Sequence, residues 1–441
     1  MSALPENHPQ RFVLSNEVHA RPPEPITAPM RVSIIAQKLE GPYTDEDRLK
    51  VVELTERYGA VPPGRNAKHY SIDLGDFRLV WERHTEFIRY TFLSAADHSP
   101  FSEPAIAAVP EDWLQALPGE LIAAAHAEVL PEAAVTLEAE ALSKAYFSGH
   151  ALIGSDIADN RATAMTDFRI HKDGFSRFLV IDRGMNPWVA GRVVQRLLEI
   201  ETYRIVALLG LPVAQTVVPA LTAWERDLAS ITSQMTDPGD VDETGLLERL
   251  TDLQAAIEKS YTESQFRFSA SAAYHALIDR RIEELREERR TDMQTLGEFT
   301  ERRLAPAMAT CTSAERRQAA LSERVDRAAQ LLSTRVDLSL ERQNAEVLDS
   351  MNKRVELQLR LQQTVEGLSI AAITYYIVGV IGYMAKGVAA SGQAVNADLV
   401  MGVAAPLVAI LTAYGVWRAR REITKAQALR DQAGKTIPPT V

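Results

Sequence analysis

GLSIAAITYYIVGVIGYMA, residues Gly367–Ala385, and LVMGVAAPLVAILTAYGVW, residues Leu399–Trp417, decide how this chain is read. Each is about 19 residues without a charge, the length a helix needs to cross a hydrocarbon core about 30 Å thick. Lys386 to Asp398, between them, is too short for a domain. The chain is therefore expected to enter a membrane, turn and return. Basic residues gather on the cytoplasmic side of a span. Arg418, Arg420, Arg421, Lys425 and Arg430 follow the second stretch, and Lys353, Arg354 and Arg360 precede the first. The linker holds only Lys386 and Asp398. The N- and C-termini are thus expected to be cytoplasmic, with a small loop outside. A buried helical hairpin of a soluble protein is the alternative, because low charge alone does not exclude it.

Composition narrows the rest. The chain has 441 residues, a net charge of -11 and a single cysteine, Cys311. About 365 residues precede the hairpin, room for two domains. One cysteine rules out an internal disulfide and fits a reducing compartment. The start, MSALPENHPQRF, has no apolar run, so no signal peptide is expected. The acidic balance argues against a nucleic-acid partner, which wants a basic stripe. It is compatible with cations, although most acidic surfaces are simply solvated.

Working back from the hairpin, residues 191–365 read as a long helical, coiled-coil-like stalk. Leu246, Leu250, Leu253 and Ile257 step by helical spacing, as do Leu321, Val325, Ala328 and Leu332. Val347, Met351, Leu361, Val365 and Leu368 carry the stripe to the first span, with polar interruptions at Asn344, Arg354 and Gln358. The expected object is a long helical hairpin whose second arm runs into that span. Glu283 with Arg286 and Glu287 with Arg290 read as pairs on a solvated helix face.

Residues 1–190 read as a cytosolic α/β sandwich domain with a mostly antiparallel sheet, so the fold class is α+β. Met30–Gln37 is an expected strand and Tyr70–Leu93 an expected meander. Thr163–Ile170 and Phe175–Ile181 flank Lys172-Asp173-Gly174, a turn that uses the positive φ open to glycine. Helices are expected near Asp45–Tyr58 and Glu132–Ala145. The remaining parts are 366–418, holding the two transmembrane helices, and 419–441, a basic cytoplasmic tail.

Three motifs carry a resemblance. NEVHARP (Asn16, Glu17, His19, Arg21 and Pro22 within it), WERHTEF (Trp81, Glu82, Arg83, His84) and GRVVQRLLEIETYR (Arg192, Glu199, Arg204) occur in that order. Together they resemble a bacterial family of membrane-anchored proteins known as domain of unknown function 3422. The resemblance covers nearly the whole chain and implies a membrane anchor, in the bacterial inner membrane, without an activity. A second likeness is one of layout, to the CorA-type divalent cation transporters. Those carry a Gly-Met-Asn triplet after the first span, and here Gly382-Tyr383-Met384-Ala385-Lys386 stands in its place. The missing asparagine and the nearby lysine put magnesium selectivity in doubt.

Candidate chemistry is sparse. Ser369, Ala372, Tyr376, Gly379 and Tyr383 share one helix face and suit helix packing in lipid or a narrow wet channel. Asn396 and Asp398 stand at the expected outer mouth. No Asp or Glu lies within either span, so a cation path would use carbonyls and hydroxyls. His19, His84 and Glu86 could hold a metal, because residues two apart on a strand share a face. They equally suit a network pinning the N-terminal arm to the sheet. Arg192, Arg196, Glu199 and Arg204 could bind an anion or form a salt-bridged interface with the sheet. No HExxH, Cys-x-x-Cys, GxSxG or P-loop pattern occurs. The chain is thus expected to be a non-enzymatic, homo-oligomeric membrane protein that needs no cofactor, save a divalent cation as a ligand. CorA-like cation transport is the sharpest version. The alternative is a tethered scaffold or regulator binding a protein partner through its stalk, and an enzyme built around His19 and His84 is a third class.

Overall fold

Alternating apolar residues in the N-terminal half pair into one eight-stranded sheet. The computed structural model describes residues 6–18, 22–39, 44–96, 99–135, 138–237, 242–390 and 396–434. They divide into two units, Met1–Leu332 and Ser333–Val441.

In the first unit, helix α1 (Arg11–Val18) precedes strand β1 (Met30–Lys38) and helix α2 (Glu46–Arg57). The meander follows as β2 (His69–Asp73), β3 (Arg78–Arg83) and β4 (Phe87–Ala95). Then come α3 (Glu111–Gln115), β5 (Glu120–Pro131), α4 (Ala139–Tyr146), β6 (Ile153–Ile157), β7 (Ala162–Thr166) and β8 (Ser176–Asp182). The strand order is β2-β3-β4-β1-β5-β8-β7-β6, antiparallel except for the β5–β8 pair. Lys172-Asp173-Gly174 lies between β7 and β8, with Gly174 at φ 86°.

Two expectations change here. The helix expected at Glu132–Ala145 is a short 3₁₀ turn, Glu132–Ala134, followed by α4 at Ala139–Tyr146. The chain is extended at Pro131 and Val135 on either side of that turn, which stops one helix from forming. The central strand β5, ELIAAAHAEVLP, was not anticipated, because its alanines favour helix by propensity. Pairing on both sides, with β1 and β8, overrides that preference.

The sheet is covered on both faces. One face carries α5 (Pro187–Leu208), whose Val193, Val194, Leu197, Leu198 and Ile200 are buried in a core continuous with the later helices. Asn186 caps α5 by accepting from Val189 N at 3.0 Å, and Pro187 supplies a preset φ in its first turn. On the other face Trp81, Tyr90, Phe92 and Trp113 pack with Val51 and Leu54 of α2. A third cluster joins Leu142 and Phe147 to Met165, Leu179 and Met293.

Helices α6 (Gly210–Thr236), α7 (Glu243–Leu285), α8 (Leu296–Arg303) and the start of α9 (Ala305–Ala390) complete this unit. α7 and α9 form the expected hairpin. Its buried polar seam is Gln318, which donates to Ser260 Oγ at 2.9 Å and accepts from Ser264 Oγ at 3.2 Å. Asn344, Arg354 and Gln358, the expected seam positions, are exposed. The supposed solvated pairs at the end of α7 also have other uses. The helix stops at Leu285, with Arg286 left-handed at φ 54°. Arg286 then pairs with Asp159, and Arg290 with Asp156. Glu287 accepts from the backbone N–H groups of Leu296 and Gly297, both at 2.9 Å, satisfying the open end of α8.

In the second unit, α9 runs on without interruption to Ala390, an 86-residue helix in all, and α10 covers Ala397–Gly434. Gly382 packs against Met401, and Thr374 meets Thr412 across the two helices at 3.0 Å. Three helical stretches are long and apolar enough to cross a membrane: Pro187–Thr236, Ala305–Val388 and Asp398–Ala419. The apolar window of the first is 33% buried, against 11% and 6% for the others. α5 spends its apolar face on the sheet, whereas the apolar windows of the two C-terminal stretches are almost wholly uncovered.

Buried ionisable groups on β5 make the first unit sensitive to pH. Burial pushes the Glu128 carboxyl up from 4.5 to about 7, against the partial opposition of the Phe101 N–H and Arg31. Its folded value exceeds its unfolded one, so the stability it contributes is full below about pH 4.5 and is lost as the pH rises to 7. Glu128→Gln, which can still accept from Phe101 N, is therefore expected to raise stability at pH 8 by up to about 3 kcal/mol and to change little at pH 4. Thermal unfolding of the full-length protein in detergent at both pH values measures this.

Candidate functional site

WERHTEF and GRVVQRLLEIETYR converge. Glu82 of β3 and Arg89 of β4 are directly opposite in the antiparallel register. Arg89 Nε donates to Glu82 Oε2 at 2.8 Å, and Nη2 donates to the same oxygen. On the facing helix, Glu199 Oε1 lies 3.7 Å from Arg89 Nη2. Glu199 also accepts from Gln195 at 3.0 Å and from Arg281 of α7. Arg281 and Arg196 then share Glu284, at 2.9 and 3.0 Å. The result is an alternating chain of charges from the sheet through α5 to α7.

Its inner members are almost dry. The side chains of Glu82, Arg89 and Glu199 are 5%, 4% and 5% exposed. Burial works against the charge on Arg89, but Glu82 and Glu199 outweigh it and hold the guanidinium above its ordinary range. Burial likewise opposes ionisation of Glu82, and Arg89 together with His84 and His69 outweighs it, leaving the carboxyl below its usual value. Tyr203 is pushed up to about 12 by burial and by Glu199.

A cavity of about 50 Å³ adjoins this network, lined by Pro22–Glu24, Glu82, Arg89, Gly191 and Gln195 among others. Arg89 Nη1, buried and without a hydrogen-bond partner among the described residues, borders it. A Cβ on Gly191 would sit 1.8 Å from Glu24 O, so only glycine lets the Pro22–Ile26 segment cross α5 this closely. Ile26 N, donating to Pro187 O at 2.9 Å, holds that segment.

The other motif residues are placed as follows. Trp81 is buried on the opposite face of the sheet, with the Arg83 guanidinium 5.1 Å from its ring. Arg83 pins α2 through the buried Asp47. His84 stacks on Phe87 at 4.3 Å, and Glu86 is paired with Arg267 at 2.8 Å. Arg204 pairs with Glu201 at 2.8 Å, and Arg192 is exposed. Asn16 and Glu17 belong to α1, while His19 and Arg21 lie outside the described residues. The expected metal set of His19, His84 and Glu86 thus falls partly outside the described residues, and of its described members Glu86 is paired with Arg267. Of Arg192, Arg196, Glu199 and Arg204, expected to make a salt-bridged interface with the sheet, Glu199 meets it through Arg89, whereas Arg196 pairs with Glu284 of α7 and Arg204 with Glu201 of its own helix.

In the second unit, Ser369, Ala372, Tyr376, Gly379 and Tyr383 lie on one side of α9. They are about a third to a half of a turn from the Thr374, Gly382 and Ala385 line that meets α10. Asn396 is the N-cap of α10, its Oδ1 accepting from Asp398 N at 3.2 Å and Leu399 N at 3.4 Å. Asp398 sits in the first helical turn, where a negative charge suits the helix dipole. Both outer-mouth candidates thus have a structural use.

A cluster that motif reasoning missed joins His150, Asp167 and His171. Asp167 Oδ2 lies 2.7 Å from His150 Nδ1 and 3.1 Å from His171 Nε2. The available signal was the spacing of Asp167 and His171 around the hairpin turn, but His150 comes from a different element.

The chain belongs to the family described as Protein of unknown function (DUF3422), whose model matches residues 6–423. No curated protein matches it.

Arg89→Met should cost about 3–5 kcal/mol of stability, because it strands a buried carboxylate. Adding Glu82→Gln should restore part of that loss. Chemical unfolding of the two variants beside the parent protein measures the coupling, and equal losses in both would rule out the charge pair as the cause.

Proposed function

We propose that this member of the family is an oligomeric protein of the bacterial inner membrane, held there by α9 and α10, whose copies share a path for small cations. Tyr376 carries the reading. It stands midway along the uncharged 367–385 stretch and is 73% exposed. A hydroxyl left unsatisfied in hydrocarbon costs several kcal/mol. A second copy or a water column removes that cost. Tyr383, 80% exposed, falls on the same side, and nothing lies within 4 Å of a Cβ built on Gly379. An open groove beside this face is lined by Tyr375, Tyr376, Gly379, Tyr383 and Lys386 with Met401 and Ala405 of α10. Selectivity in such a path would come from hydroxyls and carbonyls. Arg421 over the Trp417 ring, at 4.6 Å, suits the cytoplasmic boundary of the second span.

The second reading, a tethered scaffold, is favoured by one observation. Leu348, Met351, Val355, Leu361 and Val365 of α9 are all more than half exposed in the single chain. A partner helix would cover such a stripe.

The purified full-length protein in detergent should be a symmetric oligomer by native mass measurement. Gly379→Trp should abolish cation flux in liposomes while leaving the assembly intact. A monomer, or flux unchanged by that substitution, overturns the conduit. Function surviving exchange of both spans for unrelated ones supports the scaffold instead.

A further inference from the structure

A buried carboxylate faced by two imidazoles needs an explanation of its own. The Asp167 side chain is 0% exposed and that of His171 is 3% exposed. Among the described residues no lysine or arginine side chain pairs with Asp167. Its partners are His150, His171 and the backbone N–H of Arg169, which donates to Oδ1 at 3.2 Å. A buried anion requires compensating positive charge.

Local backbone geometry aims all three side chains at one point. His150 follows α4 through a turn with positive φ at Ser148 and Gly149. Three hydrogen bonds fix that turn: Gly149 N to Ser143 O at 2.9 Å, His150 N to Phe147 O at 3.0 Å, and Ser143 Oγ to His150 O at 2.6 Å. Asp167 leaves the end of β7 just before Phe168, a non-glycine residue at φ 51°. Phe168 is held in that unfavourable conformation by burial and by stacking on Phe299 at 4.8 Å. His171 is set by the Lys172-Asp173-Gly174 turn, where its N–H donates to Phe175 O and its carbonyl accepts from Gly174 N, both at 2.9 Å.

We propose that His150 Nδ1, Asp167 Oδ2 and His171 Nε2 form a binding site for a divalent transition-metal ion of the zinc type, with a fourth position open to water. The ligand atoms all lie within 4.8 Å of one another. Zinc bonds of about 2.0–2.1 Å in tetrahedral geometry separate neighbouring ligands by about 3.4 Å. The two contacts to Asp167, at 2.7 and 3.1 Å, need to open by about 0.7 and about 0.3 Å to reach that spacing. Two nitrogens and one carboxylate oxygen match open zinc sites, and borderline metals generally prefer such sets over calcium or magnesium, which favour oxygen. Asp167 Oδ1 is held by Arg169 N, the kind of outer hydrogen bond that orients a ligating carboxylate. The His150 side chain is 37% exposed, so the ion enters and water reaches the fourth position from that side. The site lies in the sheet unit and does not depend on the cation path proposed above.

The test uses untagged full-length protein in detergent, stripped with chelator and titrated with Zn²⁺ against a chromophoric competitor. One ion per chain is expected. Substitution with Co²⁺ should give the intense visible bands of a four-coordinate site. His150→Ala, at a half-exposed position, should weaken Zn²⁺ affinity more than about tenfold and abolish those bands, as should His171→Gln. His275→Ala, elsewhere on the chain, should change neither. If His171→Gln fails to fold, His150→Ala alone decides the matter. No stoichiometric binding, or binding unaffected by His150→Ala, overturns the proposal and leaves a hydrogen-bonded triad.

Discussion

Arg89 cannot occupy a dry interface between a sheet and a helix unless anions meet it from both layers. Glu82 meets it from the neighbouring strand and Glu199 from α5. Because Glu199 is shared with Arg281, the same requirement extends to α7. A buried charge pair is weak evidence for stability, since desolvation cancels much of the attraction. Its stronger effect is on register. Slipping β3 against β4 by one residue would turn Glu82 away and leave Arg89 uncompensated. The network thus specifies how the strands align and where the helices lie over them. Glu82 and Arg89, conspicuous motif residues of β3 and β4, thus have a structural use in pairing with one another.

Helix α9 shows how one element can have two environments. Between Ala305 and Leu332 its stripe of Met308, Cys311, Ala314, Leu321, Val325 and Leu332 is covered and its buried polar seam, Gln318 with Ser260 and Ser264, is satisfied. Beyond that point the same kind of spacing continues with the apolar residues exposed. Periodicity reports a stripe in both parts. It does not say whether the stripe is covered by this chain, by another copy or by lipid. The tyrosines in the uncharged stretch sharpen the question, because a hydroxyl is tolerated in hydrocarbon only with a partner.

His150, Asp167 and His171 illustrate a site made by turns. None of the three belongs to a long motif, and the contacts that aim them are backbone hydrogen bonds in connections. The hairpin turn at Lys172-Asp173-Gly174 was evident from its glycine, but not that it directs His171 toward Asp167. His84 and Glu86, the described members of the expected His19, His84 and Glu86 set, have other contacts. Their types and spacing suggested ligands, yet His84 stacks on Phe87 and Glu86 pairs with an arginine 181 residues away.

The sequence by itself determined the elements whose signal is local. Uncharged stretches of membrane length, helical periodicity in α7 and α9, the meander and the Gly174 turn all follow from neighbouring residues. The DUF3422 relationship was likewise legible from three linear motifs. Only the tertiary structure decided the rest. It made a strand of the alanine-rich β5, because pairing on both edges outweighs propensity. It moved the buried polar seam from Asn344 and its neighbours to Gln318, because burial depends on which helix lies opposite. It brought Glu82, Arg89, Glu199 and Arg281 into one network, and His150 to Asp167, because electrostatics and coordination depend on distance in space rather than along the chain.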